Sequence, residues 1–330
     1  MNILVTGGLG FIGINVAIRF LSKNHKVVVF DNLDKIGSLK NYDLISSDDN
    51  SEFVKGDLRN RNDVERVFAE NHFDVIFHLG GQTAVTTSII DPVKDFESNA
   101  LGTFYVLEAY RKYCPDAKLI FSSSNKVFGT LKNRELIEED SRYRFKDNIC
   151  GIDENEPLDF CTPYGNSKGT ADQYIRDYAR TYGLDTCVVI QSCIYGVHQK
   201  GTESQGWVAW FVRCFLEQIP ITIYGDGKQV RDILYISDLV DFYEQLSMRE
   251  NNGEIYNLGG GLENSISLLE LLDLLGKRFD RRPFISFSSE RIGDQKIFIS
   301  NNRKAEELGW APKVGIEEGI GKLIASLKGD

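Results

Sequence analysis

The sequence is poor in the residues that staple, stiffen or ligate. Seven prolines in 330 residues form no proline-rich linker, and six cysteines without a CxxC spacing outline neither a zinc ribbon nor a redox pair. Metal ligation is not expected, and scattered thiols point to a reducing compartment, the cytoplasm. Basic residues are also in deficit. Against 48 Asp and Glu there are 38 Lys and Arg, a formal charge of −10, which repels nucleic-acid backbones and anionic lipid and leaves an anionic ligand to a few local cations. No run of about 18 apolar residues is present, so no membrane span is expected. The early apolar stretch 3–20 is preceded by no Lys or Arg and interrupted by four glycines, so it is expected to belong to the fold and not to a secretory leader.

What is present is an ordinary globular composition, 42% hydrophobic and 26% charged, in a chain long enough for one large or two intimately joined domains. Short β-branched runs at 2–6, 26–30, 52–55, 74–78, 118–122 and 186–190 alternate with longer periodic segments at 11–23, 93–112 and 164–182. That alternation predicts an α/β fold, a Rossmann-type doubly wound parallel sheet with crossover helices. Beyond about residue 185 it loosens into helices at 207–217, 237–248 and 267–279 and strands at 221–224, 254–258 and 284–287, which predicts a smaller C-terminal α/β substrate lobe. The boundaries expected are 1–190 for the Rossmann domain and 191–330 for the lobe, some of whose segments return to the first core. The polar stretch 130–160 reads as a long surface insertion.

Gly7, Gly10 and Gly13 follow the first run and open the first periodic segment with GxxGxxG spacing. A tight turn, a close backbone approach and a helix N-terminus suit a pyrophosphate. Asp31 ends the second run, where a carboxylate accepts ribose hydroxyls and repels a 2′-phosphate, so NAD is favoured over NADP. Asp57 and Leu58 after the third run, and Leu79, Gly80 and Gln82 after the fourth, are expected along the same dinucleotide. Further cofactor contacts are assigned to Phe11, Ile12, Asn32, Asn99, Ser122 and Gln191. His78 reads as a packed strand-end residue.

Tyr164 and Lys168 stand at i and i+4, on one face of one helix. A cation beside a phenol, together with a positive nicotinamide ring, favours the phenolate and so a base near physiological pH. Ser124, at the end of the fifth run, is the candidate hydrogen-bond partner of the substrate oxygen. Arg231 and Arg291 could grip a diphosphate, with Gln199, Gln205 and Trp207 at its nucleotide end and Asn125 and Lys126 beside the sugar.

Together these motifs resemble the extended short-chain dehydrogenase/reductases over essentially the whole chain. The blocks SSSNKVFG (122–129), GIDENEPLDFCTPYGNSKGTADQY (151–174), QSCIYG (191–196), GTESQGWVAWF (201–211) and GKQVRD (227–232) are similar to those of its nucleotide-sugar 2-epimerases. The resemblance implies catalysis by Ser124, Tyr164 and Lys168, the last two also as cofactor ligands. It implies an NAD that stays tightly bound and is regenerated at each turnover. The substrate implied is a nucleotide-diphosphate sugar, a CDP-linked (dideoxy)hexose epimerised at C2, in the building of a lipopolysaccharide O-antigen or other surface polysaccharide. A homodimer or homotetramer through helices 93–112 and 164–182 is also implied. Rival readings are a 4-epimerase, a 4,6-dehydratase, a net-redox dehydrogenase and a dinucleotide sensor without catalysis. Ser124 stands for a frequent Thr, Phe128 for Tyr, Cys161 for His, Ile190 for Arg, and Val197-His198 for a Pro- or Gly-Arg pair, departures that bear on the choice of sugar or base.

Overall fold

The computed structural model describes residues 1–147 and 149–329; Asn148, inside the expected insertion, and Asp330 lie outside the described residues. Seven strands form the larger sheet, in the order Glu254–Leu258, Asp185–Gln191, Lys118–Ser124, Val75–His78, Asn2–Thr6, Lys26–Asp31 and Ser51–Lys55. Asn2–Thr6 pairs in parallel with Lys26–Asp31 on one side and with Val75–His78 on the other. The winding direction therefore reverses at the first strand, and its C-terminal end opens on the crevice where such sheets bind ligands. The central strands are buried on both faces, which is why their sequences read as unbroken apolar runs and not as alternation.

Two compact units divide the chain. The first comprises Met1–Ser124, Pro163–Ile190 and Val240–Tyr256, and the second comprises Asn125–Thr162, Gln191–Leu239 and the chain from Asn257 onward. Most of the helix Ile236–Ser247 and of the strand Glu254–Leu258, expected in the smaller lobe, thus falls in the first unit. A sheet edge leaves a row of unpaired backbone groups, and a distant strand that satisfies them leaves no local signature. Arg19 of the helix Phe11–Leu21 holds this return segment through Asp241 at 2.7 Å and Glu244 at 2.9 Å.

The second unit carries the strands Ser265–Ser267, Val230–Tyr235, Ile297–Phe298 and Cys193–Tyr195 in one sheet, and pairs Ile221–Tyr224 in parallel with Ile285–Ser288. The stretch 130–160, expected as a surface insertion of the first domain, groups with the second unit, and many of its described residues are exposed. It forms an antiparallel hairpin, Leu136–Glu138 against Tyr143–Phe145, with Tyr143, Phe145 and Ile152 buried. Ser267 Oγ donates to the Ser141 carbonyl at 2.7 Å and Arg142 to Ser265 Oγ at 2.7 Å, tying the hairpin down. Among the described residues no helix is long and apolar enough to cross a membrane.

Candidate active site

The glycine-rich turn is shaped by close backbone approaches. Gly7 has φ +63°, and a Cβ there would lie 2.6 Å from Gly80 Cα; a Cβ on Gly13 would lie 2.3 Å from the Gly7 carbonyl oxygen. The helix Phe11–Leu21 starts at Gly10 with no side-chain cap and no acidic residue in its first turn. Its N-terminal N–H groups are thus left to an anionic ligand, so these residues fit the pyrophosphate of a dinucleotide. Phe11 and Ile12 form the helix's first turn. Asp31, buried, accepts from the Leu9 N–H at 3.1 Å and the Leu33 N–H at 2.8 Å, which locks the second strand's end against the turn. Burial pushes its carboxyl up, opposed by those backbone hydrogen bonds and by Lys35.

Asn32 and Asp57 meet, Asn32 Nδ2 donating to Asp57 Oδ2 at 3.0 Å. Arg59 grips the same carboxylate through Nε at 3.0 Å and Nη2 at 2.7 Å, and its guanidinium holds Asp57 well below the usual carboxylate range. Leu58 packs beside Gly80, where an added Cβ would lie 2.7 Å from Leu58 Cδ1. Leu79 is half-buried and donates its N–H to the Thr6 carbonyl at 3.3 Å. Gln82, assigned to the cofactor, has its side chain engaged within the fold: it donates to the Ala84 carbonyl at 2.7 Å and to Asp95 at 2.9 Å, and accepts from the Ala84 N–H. Asn99 donates to Ser167 Oγ at 3.1 Å and Asp95 at 3.2 Å. It sits in a wide π-helical turn, Glu97–Leu101, that interrupts the expected helix 93–112, an irregularity often found at functional sites. Ser122 is half-buried within the strand Lys118–Ser124, and Gln191, buried, ends Asp185–Gln191.

Ser124, Tyr164 and Lys168 come together in the first unit. The helix Pro163–Tyr182 buries Tyr164 and Lys168 on one face, and the Tyr164 phenol is hydrogen-bonded to the Ser124 hydroxyl. The Lys168 ammonium lies 4.2 Å from the centre of the Phe121 ring. Burial draws the Lys168 pKa down, while Asp172 and Asp95 support its charge. Burial pushes the Tyr164 phenol up to about 12; the Ser124 hydrogen bond opposes this, and Asp95 and Asp172 add to it. The protein by itself therefore holds Tyr164 protonated at neutral pH. Burial and two carboxylates that the YxxxK spacing does not reveal oppose the phenolate expected from that spacing.

His78 is fully buried, as expected of a packed strand-end residue, with Nδ1 2.7 Å from Thr6 Oγ1 and Nε2 2.9 Å from Thr103 Oγ1. Burial, and secondarily the Lys168 charge, draw its pKa from 6.5 down to about 3. The unfolded chain then binds a proton that the folded chain refuses, so His78 costs stability as pH falls from 6.5 towards 3 and nothing above that window. The loss between pH 7 and pH 5 is about 2 kcal/mol. A thermal-melting comparison should show a smaller drop between these pH values in His78→Gln than in the parent; equal drops would assign the acid sensitivity elsewhere.

In the second unit Arg231 and Lys126 share one carboxylate oxygen, Asp294 Oδ1, at 2.8 and 3.3 Å. Lys126 also donates to the Gly293 carbonyl at 3.2 Å, and Asn125 donates to Gln295 Oε1 at 3.3 Å. Arg291, expected with Arg231 at one diphosphate, is stacked 3.8 Å from the Tyr224 ring centre and donates to the Glu203 carbonyl at 3.0 Å, while Lys126 shares the Asp294 carboxylate with Arg231. Trp207 opens the helix Trp207–Glu217 and donates its indole N–H to Cys193 Sγ at 2.8 Å. Gln199 is buried and donates to the Ile194 carbonyl at 3.2 Å, whereas Gln205 is exposed. Of the departures, Ile190 is buried in its strand, Cys161 is exposed and His198 has φ +65°.

Sequence reasoning missed Asp95, Asp172 and Asp294. None of the three stands at a position to which a motif assigns a role, and an isolated Asp reads as a surface or turn residue. The one available signal was Asp172, at i+8 from Tyr164 on the same helix face.

A doubly wound sheet with a glycine-rich first turn and a Ser–Tyr–Lys set at its strand ends is the organisation of an extended short-chain dehydrogenase/reductase. The chain belongs to the GDP-mannose 4,6 dehydratase family, which it matches over residues 4–323. It is 43% identical to the CDP-paratose 2-epimerase of Salmonella typhi across 98% of each chain. Two solved structures superpose on all of it and on 99% of their own chains: Pal from Bacillus thuringiensis, with a TM-score of 0.88 and 33% identity, and the UDP-glucose 4-epimerase of Thermus thermophilus in complex with NAD, with a TM-score of 0.84 and 30% identity.

Proposed function

We propose that the protein is an NAD-dependent nucleotide-sugar epimerase acting at C2 of a CDP-linked (dideoxy)hexose. The observation that carries the chemistry is the buried Tyr164 phenol, hydrogen-bonded to Ser124 and one helical turn from Lys168. The uncapped glycine turn, Asp31 and the two glycines at 7 and 80 would hold the dinucleotide. Bound NAD supplies a hydride acceptor and a positive ring charge that favours the Tyr164 phenolate. Tyr164 would take the proton of the sugar hydroxyl as that carbon is oxidised, and Ser124 would hydrogen-bond the oxygen of the resulting ketone. Lys168 would hold the phenolate and the nicotinamide ribose. After the keto sugar turns its other face, Tyr164 would return the proton to its oxygen, and reduction from that face would invert the carbon with no net redox change. In the second unit Arg231 and Lys126 would take the diphosphate, with Gln199, Gln205, Trp207 and Arg291 towards the nucleotide.

Position 2 is supported by the extent of the identity with the 2-epimerase. Elimination as in a 4,6-dehydratase needs an acid and a base beside the hydroxyl residue, and Asn125 and Lys126 stand there without a carboxyl group. A cytoplasmic homo-oligomer in surface-polysaccharide synthesis completes the reading; exposed Val93, Phe96, Tyr174 and Tyr182 on the helices concerned favour subunit pairing.

The test is to incubate the purified protein, without added NAD, with CDP-paratose and with UDP-glucose, and to follow the sugar protons by NMR. Inversion at C2 of the CDP sugar is expected. Inversion at C4 of UDP-glucose would install the 4-epimerase reading, and a stoichiometric requirement for NAD would overturn the closed redox cycle.

A further inference from the structure

Tyr164, Lys168, Asp172 and Arg176 stand at successive four-residue steps along the helix Pro163–Tyr182, and so form one stripe. The first three are almost wholly enclosed, with 8%, 7% and 2% of their surfaces exposed. We propose that Asp172 is a positioning residue for the reaction proposed above, keeping Lys168 an ammonium ion in this dry site and so setting the pH window in which Tyr164 exchanges its proton.

Asp172 has the geometry for this and little other occupation. Its Oδ2 accepts from Ser123 Oγ at 2.8 Å, while its Oδ1 is buried and has no hydrogen-bond partner among the described residues. An unpaired buried carboxylate oxygen is costly, and an apolar or amide side chain would avoid that cost if packing were the only demand. The charge is what such substitutes would lack. The groups facing the pair are few. Lys168 stands over the Phe121 ring and feels the charges of Asp172, one turn along its own helix, and of Asp95 from the helix Pro92–Phe96, while its own charge acts on the neutral His78 of the strand Val75–His78. Burial pushes the Asp172 carboxyl up, opposed by the Ser123 hydrogen bond and by the Lys168 and Arg176 charges, so Lys168 and Asp172 each sustain the other's ionisation; Arg176 in turn feels the charges of Arg180, Asp172 and Glu254. Asp95 is held by Ser167, Gln82 and Asn99, so Asp172 is the carboxylate with an oxygen left over.

The signs follow from these charges. Removing the Asp172 charge leaves the buried Lys168 ammonium with less support, so it loses its proton at lower pH. The same removal takes an anion away from Tyr164, whose phenolate then forms at lower pH. Both limbs of a pH–rate profile should move to the acid side, by about one unit, the lower end of what a neighbouring charge contributes.

The experiment measures kcat/KM against pH for the parent, Asp172→Asn, Asp172→Glu and Ser123→Ala, and NADH affinity against pH by fluorescence for the same four proteins. Asp172→Asn should shift both limbs to the acid side and move the alkaline loss of NADH binding in the same direction. Asp172→Glu, which keeps the charge, should restore the parent limbs. Ser123→Ala, which removes only the hydrogen bond that favours the carboxylate, should give a smaller shift of the same sign and stands in if Asp172→Asn does not fold. Reduced rates with unmoved limbs in Asp172→Asn and Ser123→Ala would make Asp172 a packing residue and overturn the proposal. If the parent turns over no nucleotide sugar, the epimerase reading fails, and the NADH titration still decides the role of Asp172.

Discussion

Tyr164→Phe is expected to lower kcat by about 10²- to 10⁴-fold, the range that a positioned acid–base group contributes. The substitution removes one oxygen from a buried site and leaves the helix Pro163–Tyr182, the glycine turn and Asp31 untouched. NAD content of the purified variant should match the parent. Loss of the phenol also removes its hydrogen bond with Ser124, which costs about 1 kcal/mol of stability. Released NAD and turnover are measured on the same sample. Retained turnover would remove Tyr164 from its role, and lost NAD would show that the phenol holds the cofactor and does not merely serve the chemistry.

The second large effect belongs to Gly13→Ala. The added methyl would sit 2.3 Å from the Gly7 oxygen and 2.6 Å from Gly8 Cα, both backbone atoms that cannot swing aside as a side chain does. The turn must open, at about 1–3 kcal/mol for such overpacking, and the pyrophosphate cradle is lost with it. The variant should purify without NAD and melt lower than the parent. Gly315→Ala is the control, since no atom lies within 4 Å of the added methyl. An NAD-loaded Gly13→Ala would mean that the dinucleotide is held elsewhere.

The strands of the larger sheet were legible because the central ones are buried on both faces, and an unbroken β-branched run suits little besides a buried strand. Tyr164 and Lys168 were legible because i and i+4 on a helix force a common face. Arg291 shows where such reasoning stops. The sequence places Arg291 in a plausible segment but does not disclose that it rests on Tyr224, nor that Lys126 stands beside Arg231 through Asp294. Contacts between residues more than sixty positions apart carry no periodicity, so no local pattern announces them. The hairpin within 130–160 was hidden for the same reason: it is held by Ser265, Ser267 and Asp226, and in isolation its sequence has the composition of a loop.

The amino-acid order by itself determined the doubly wound sheet, the glycine turn, Asp31 at the end of the second strand and the pairing of phenol with ammonium, since periodicity, glycine geometry and helix spacing are properties of neighbours along the chain. Only the tertiary structure decided which charges surround that pair. The protonation of Tyr164 and Lys168 depends on desolvation and on Asp95 and Asp172, and desolvation exists only once distant segments have closed over the site.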